Sequence, residues 1–387
     1  MPTEDTLSMT HVFSARDNEP LSSDGTLLHG KVQDALLEHL PAHDRSKMKT
    51  ILNHFATETI KTFSPGTAAD VAWREALPLL ATRHSYVLNG ILAVGCLHLS
   101  TLTSDASEKE EYQNIAAIQM NSGMTEYRSE VQNVTTSNAE ALFAFSTTIT
   151  TFVLCTAGIE CRTALESLEE TQLSEEHQQR IVSSSTQSIC RIFRAIRGCL
   201  VILVPCYHHI RSGTFGPVVE RDWWPPHVPI TIEELGQDQK LRHLETMWSQ
   251  PGKAYEYSFD CLRGALKSLR ETFALISRLA TCVFPGDSSS DNTFDWTAIM
   301  QWPTDLPLEF ISLLEQRRME AWVLVAHYAL LLARVTIKIN PWLDGLATNM
   351  FKTSALVIGA DNWDWISWPA AVLGIDMECL STTTTTA

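Results

Sequence analysis

The sequence predicts an all-α protein: one multi-helix globular domain behind a mobile N-terminal leader. Three observations lead there. Past residue 45, apolar residues recur at helical spacing along most of the chain, while the period-two alternation of strands is scarce. Apolar residues make up 44% and charged residues 19% of the 387 positions, a globular rather than a disordered composition. The breaks between periodic segments, such as Ser64-Pro65-Gly66 and Phe284-Pro-Gly286, are of the kind that ends helices.

Residues 1–45 are polar, with Asn-Glu-Pro and Ser-Ser-Asp-Gly turns, and read as the leader; within it Val32 to Leu40 has the pattern of a short amphipathic helix. Residues 46–380 form the helical domain, and 381–387, a run of threonines, a disordered tail. The first domain helix covers Met48 to Phe63. A second, 85 to 100, carries Leu88, Ile91, Leu92, Gly95 and Leu99 on one face. Gly95 within that stripe weakens the helix by ~1 kcal/mol relative to Ala, so a close neighbour, another helix or a bulky ligand, is expected there. Tyr112 to Val131 continues the pattern, and Ser137-Asn-Ala-Glu140 has the spacing of a capping box opening a helix through Gly158. The acidic stretch 160–180 reads as a solvated connection or an exposed helix. Helices follow around Ile181 to His208, Tyr255 to Val283, Pro307 to Val335 and Gly345 to Gly359, with a Pro/Trp connection at Trp223-Trp-Pro-Pro226 and a serine-rich loop up to residue 292.

Charge and motifs exclude several function classes. A net charge of −16 repels a polyanion, so direct nucleic-acid binding is not expected. The nine cysteines contain no Cys-x-x-Cys pair of the kind that wraps zinc, and their scatter through apolar segments suits reduced, packed thiols. His208 and His209 are adjacent and diverge on a helix, so no metal site is expected. Phosphate-cradling glycine loops, a nucleophile elbow and the aspartate clusters that ionise prenyl diphosphates are also missing, so no cofactor is expected. The apolar runs Cys199 to Cys206 and Ala321 to Val335 are too short or too interrupted to span a bilayer, and no signal peptide opens the chain, so a cytoplasmic location is expected, with a nuclear one as alternative.

A series of blocks points further. His54-Phe55, Trp73, Pro78, Ala81, His84 and Leu88-Asn-Gly-Ile-Leu-Ala-Val-Gly-Cys-Leu-His-Leu99 come first. Tyr112, Ala116, Gln119, Tyr127-Arg128, Ala141-Leu-Phe-Ala-Phe-Ser146 and Ile196-Arg-Gly198 follow. Ala326-His-Tyr-Ala329, Trp342-Leu-Asp-Gly345 and Trp363-Asp-Trp-Ile-Ser-Trp-Pro369 close the series. In this order the chain, over roughly residues 47 to 375, resembles the C-terminal domain of the sterol-uptake-control family of fungal zinc-cluster regulators. The resemblance implies a helical domain enclosing an apolar pocket that takes a sterol. Without paired cysteines, the expectation is the ligand-binding half without its zinc-cluster DNA-binding half. At Arg317-Arg318-Met319 the chain departs from the proline that the family usually carries before an Ala/Leu-rich helix.

Candidate site residues follow from chemistry and from these blocks. His84 and His98 flank the apolar stripe of the second helix; each suits a hydrogen-bonded core position or a group that orients a ligand oxygen. His327 and Tyr328 diverge on one helix, so at most one reaches a pocket. Arg197, in an apolar stretch, requires a salt bridge or a ligand carbonyl or carboxylate. Trp342, Trp363, Trp365 and Trp368 read as one aromatic cluster serving the core or a polycyclic ligand. The catalytic candidates are His98, His327 and Tyr328; the ligand-binding candidates are His84, Arg197, Trp342, Trp365 and Trp368.

Two functions compete. In one, the domain has been reused in fungal secondary metabolism as a cofactor-free cyclase of Diels–Alderase type, which folds a terpenoid or polyketide into a reactive conformer; positioning alone can contribute ~7–11 kcal/mol at its upper end. In the other it senses a sterol or terpenoid and acts on transcription through a partner. An apolar small molecule is the partner in both, and a homodimer is compatible with either. A helical interaction protein with a filled core is the third reading.

Overall fold

The computed structural model describes residue 36 and residues 45–64, 68–169, 174–221, 228–249, 258–281, 295–335 and 340–381. Among them every regular element is helical. The leader, the Pro/Trp connection, the serine-rich loop and the terminal threonines lie outside the described residues.

The centre is built by α1 (Arg45–Thr57), α2 (Ala68–Ala81), α3 (Ser85–Leu102), α4 (Ala106–Glu130) and α5 (Ala139–Glu166). Helix α3 buries residues around nearly its whole circumference, and α1, α2, α4 and α5 all pack on it. Glycine makes this possible. A Cβ on Gly95 would meet Ile51 of α1 at 3.0 Å, so the neighbour that the stripe required is another helix. On the other side Phe145 of α5 fills the gap left by two glycines: a Cβ would meet its ring at 2.9 Å from Gly90 of α3 and at 2.7 Å from Gly123 of α4. Helix α4 lays Tyr112, Ala116, Met120 and Gly123 against the core, and Asp105 caps its N-terminus by accepting from the Glu108 amide at 2.9 Å. Helices α3 and α5 are long and apolar enough to cross a membrane, yet both are mostly buried inside the fold, as core helices are. Neither is one of the apolar runs, 199–206 and 321–335, that stand out in the sequence.

The capping box expected at Ser137–Glu140 does not form. Asn138 is the N-cap residue, its side chain accepts from the Thr135 amide, and Glu140 reaches away to the Thr214 amide at 2.7 Å. Helix α5 also continues to Glu166, well past Gly158. The acidic stretch then divides between the end of α5 and the first turn of α6 (Glu175–Gly198), where Ser174 caps and Glu175 and Glu176 complement the helix dipole. The segment expected as one helix from Ile181 to His208 is two, because α6 ends at Gly198 and α7 (Leu200–Ser212) follows.

The second half adds α8 (Gly216–Val219), α9 (Ile232–His243), α10 (Phe259–Thr281), α11 (Gln301–Asp305), α12 (Leu308–Glu315), α13 (Met319–Leu332), α14 (Leu346–Ile358), α15 (Ser367–Leu373) and α16 (Met377–Ser381). The helix expected from Pro307 to Val335 is broken at 316–318. There the Arg317 amide donates to Leu314 O at 3.0 Å and the Arg318 amide to Leu313 O at 2.9 Å, the paired bonds of a Schellman motif. The left-handed position of that motif, φ +55°, is held by Arg317 rather than glycine. Helix α13 is buried on all sides, with the Trp322 indole N–H donating to Leu314 O at 3.0 Å.

Two substitutions test this packing by urea denaturation. Gly90→Ala improves helix propensity by ~1 kcal/mol, yet it should lower stability by ~1–3 kcal/mol because the new methyl collides with Thr148 and Phe145. Arg317→Gly should raise stability by up to ~1 kcal/mol, the relief of left-handed crowding less the added chain entropy of glycine.

Candidate functional site

Helices α2, α5 and α7, with the chain around 62–64, 218–221 and 296–304, line a half-open apolar cavity of about 220 Å³. Because residues two apart on a helix face nearly opposite ways, locking Phe145 between α3 and α4 turns Phe143, Thr147, Thr150, Thr151 and Leu154 of α5 towards the cavity. Trp73 of α2 stands across from them, its ring stacked on Phe143 with centroids 6.2 Å apart. The remaining wall comes from Ile196, Leu200 and Leu203 and from two distant indoles, Trp296 and Trp342.

Thr62 holds both indoles. Trp296 Nε1–H donates to its carbonyl at 3.1 Å and Trp342 Nε1–H to its hydroxyl at 2.8 Å. With their one polar atom bound, both rings offer only apolar surface. The threonines behave alike. Thr150 and Thr151 hydroxyls donate back to backbone carbonyls at 2.9 to 3.1 Å, which leaves their oxygen lone pairs as acceptors. At one end sits a buried ion pair, Arg221 with Asp295 at 3.1 Å. Arg221 Nη2 also donates to Ser64 Oγ at 2.9 Å, and burial lowers its pKa while Asp295 opposes that shift. No histidine, tyrosine or carboxylate lines the cavity among the described residues.

Of the eight residues singled out in the sequence, Trp342 alone lines this cavity. His98 lies behind it, rings 5.4 Å apart, where His98 Nδ1 pairs with Thr59 Oγ1 at 2.9 Å and faces His54 Nε2 at 3.2 Å. Tyr328 is buried against Trp302 and Phe193, with its hydroxyl donating to Ile299 O at 3.3 Å. His84 is the residue before α3, its ring tilted against that of Tyr86 with centroids 5.4 Å apart. Arg197 donates to the carbonyl of Thr304 at 2.9 Å and so braces the cavity wall from outside.

The expected tryptophan cluster is divided. Trp363 donates to Ala355 O at 2.9 Å, while Trp365 and Trp368 open onto a separate groove of about 890 Å³ with His243, Lys240 and His327. There His243 stacks on Trp365 at 5.5 Å and Lys240 Nζ sits 4.8 Å from the Trp368 ring centre. His327 Nδ1 donates to Val323 O at 2.8 Å, leaving Nε2 as an acceptor.

Residues 50–193 match the fungal specific transcription factor domain. None of the curated proteins or solved structures matches the chain. The matched segment runs from α1 into α6 and supplies Trp73, Phe143 and the threonine face of α5, whereas Trp296 and Trp342 lie beyond it. The chain thus carries a transcription-factor-like domain of fungal type. Trp296, Arg221 and the threonine face were not picked out from the sequence. The three- and four-residue spacing of Thr147, Thr150, Thr151 and Leu154 was the available signal.

Two histidines set a pH dependence. Burial lowers both His98 and His327 from 6.5 to about 4, with the neighbouring His54 also lowering His98. The folded chain therefore binds fewer protons than the unfolded chain between about pH 4 and 6.5, so stability should be level above 6.5 and fall as pH drops towards 4. Each ring contributes ~3 kcal/mol at most to that loss. Denaturation across this range should show a shallower slope in His98→Asn than in the parent protein.

Proposed function

We propose that the chain is the ligand-binding part of a fungal transcription regulator, and that its apolar cavity takes the hydrocarbon body of a terpenoid, sterol or polyketide-like molecule. The observation that carries this reading is the cavity itself: aromatic walls with their N–H groups tied to Thr62, acceptor threonines, and a single buried arginine at one end. A cavity of about 150 Å³ holds benzene, so about 220 Å³ suits a molecule of one or two rings, or one end of a sterol. A ligand hydroxyl would donate to a threonine oxygen, and a ligand carbonyl would lie against Arg221. The segment match supports a regulator, and with it a nuclear location and output through a partner chain or a second copy.

Conversion of the ligand, the cyclase reading, asks for a hydrogen-bond donor at the reacting group. His98 and Tyr328 are engaged elsewhere, His327 faces the other groove, and the donor that does reach the cavity, Arg221, is already held by Asp295 and Ser64, which favours retention over conversion. Native mass spectrometry and tryptophan quenching with farnesol and with ergosterol test both readings. Saturable binding of an unchanged compound, weakened tenfold or more in Thr151→Trp, is the expected result. No binding of either probe would count against the cavity, and an isomer of equal mass, lost on boiling the protein, would replace sensing with catalysis.

A further inference from the structure

On another face of α6 lies a polar cleft of about 640 Å³, closed by Glu160 at the end of α5 and by the turn at Glu315 and Arg317. None of the eight candidate site residues lines it, and it shares no lining residue with the apolar cavity. Arg191 is ion-paired with Glu160, and Arg194 with Glu315. The third guanidinium, Arg317, makes no hydrogen bond or ion pair among the described residues, so the cleft holds three cations against two carboxylates. Its lining also contains an unsatisfied group. Thr186 is only 3% exposed, and its hydroxyl has no hydrogen-bond partner. A buried hydroxyl without a partner is uncommon and calls for an explanation.

We propose that this cleft binds a small oxyanion, a phosphate monoester or a polycarboxylate, through the guanidinium of Arg317 and, once its side chain rotates out of its buried position, the O–H of Thr186. Arg191 and Arg194 supply further positive potential, held in place by their carboxylate partners. The chemistry suits an oxyanion because guanidinium forks match carboxylate and phosphate geometry and a hydroxyl donates to either. The chain's net charge of −16 opposes anions only at long range. Screening over ~8–10 Å at ordinary salt leaves the local surplus to decide. Arg317 also occupies a backbone position usually given to glycine.

The test is calorimetric titration of the full chain with inorganic phosphate and, separately, with citrate at low ionic strength. Saturable binding of at least one is expected, weakening as salt is added. Tighter binding of phosphate marks a phosphate ester as the class, and tighter binding of citrate a polycarboxylate. Arg317→Gln should weaken binding tenfold or more and Thr186→Val severalfold, with the thermal melts of both variants at or above that of the parent. Arg317→Gly, which relaxes the backbone and removes the same charge, should behave like Arg317→Gln. Absence of saturable binding of both anions, or binding by the two Arg317 variants as tight as the parent's, would overturn the assignment.

Discussion

Phe145, wedged into the space that Gly90 and Gly123 leave empty, fixes where α3, α4 and α5 stand relative to one another. Interiors packed to crystal-like density tolerate neither a void nor an extra methyl at such a point. The rotation of α5 about its axis is therefore set by one ring on one side, and the face it turns the other way becomes the threonine-lined wall of the cavity. Helix α3 tolerates burial around nearly its whole circumference because its backbone groups bond within the helix and its crossing points carry glycine, with the Tyr86 hydroxyl left buried without a partner.

How much of this was legible depends on the range of the interaction. The second helix, its apolar stripe and the need for a close neighbour at Gly95 could be read from spacing alone, since they are consequences of a 3.6-residue period. The partner of Gly90 could not, because Phe145 is more than fifty residues away and nothing local names it. Glu140 illustrates the same limit. Its spacing from Ser137 suited a capping box, but the Thr214 amide, brought near only by the folded chain, offers a competing bond. Arg317 hid a helix end, because the usual glycine is replaced and the bonds that close the turn are backbone bonds.

The candidate site was legible in kind but not in membership. Indoles line the cavity and imidazoles do not, and residues read as one cluster, such as Trp342 and Trp365, face different cavities. Trp296, Arg221 and the α5 threonines carry little individuality in a sequence and gain their meaning from convergence. Among the described residues that wall carries acceptors, apolar rings, one arginine and the Cys199 thiol, and the histidines lie elsewhere in the fold.

The two bonds to Thr62 also constrain assembly. The indoles of Trp296 and Trp342 reach it across 234 and 280 residues of chain. Contacts at such separation carry a large loop-closure cost, so they favour late formation in folding. The pocket therefore belongs to the finished chain and to no fragment of it, the segment 50–193 included. A molecule that occupied it would bind only the fully assembled fold and would shift the folding equilibrium towards it by mass action.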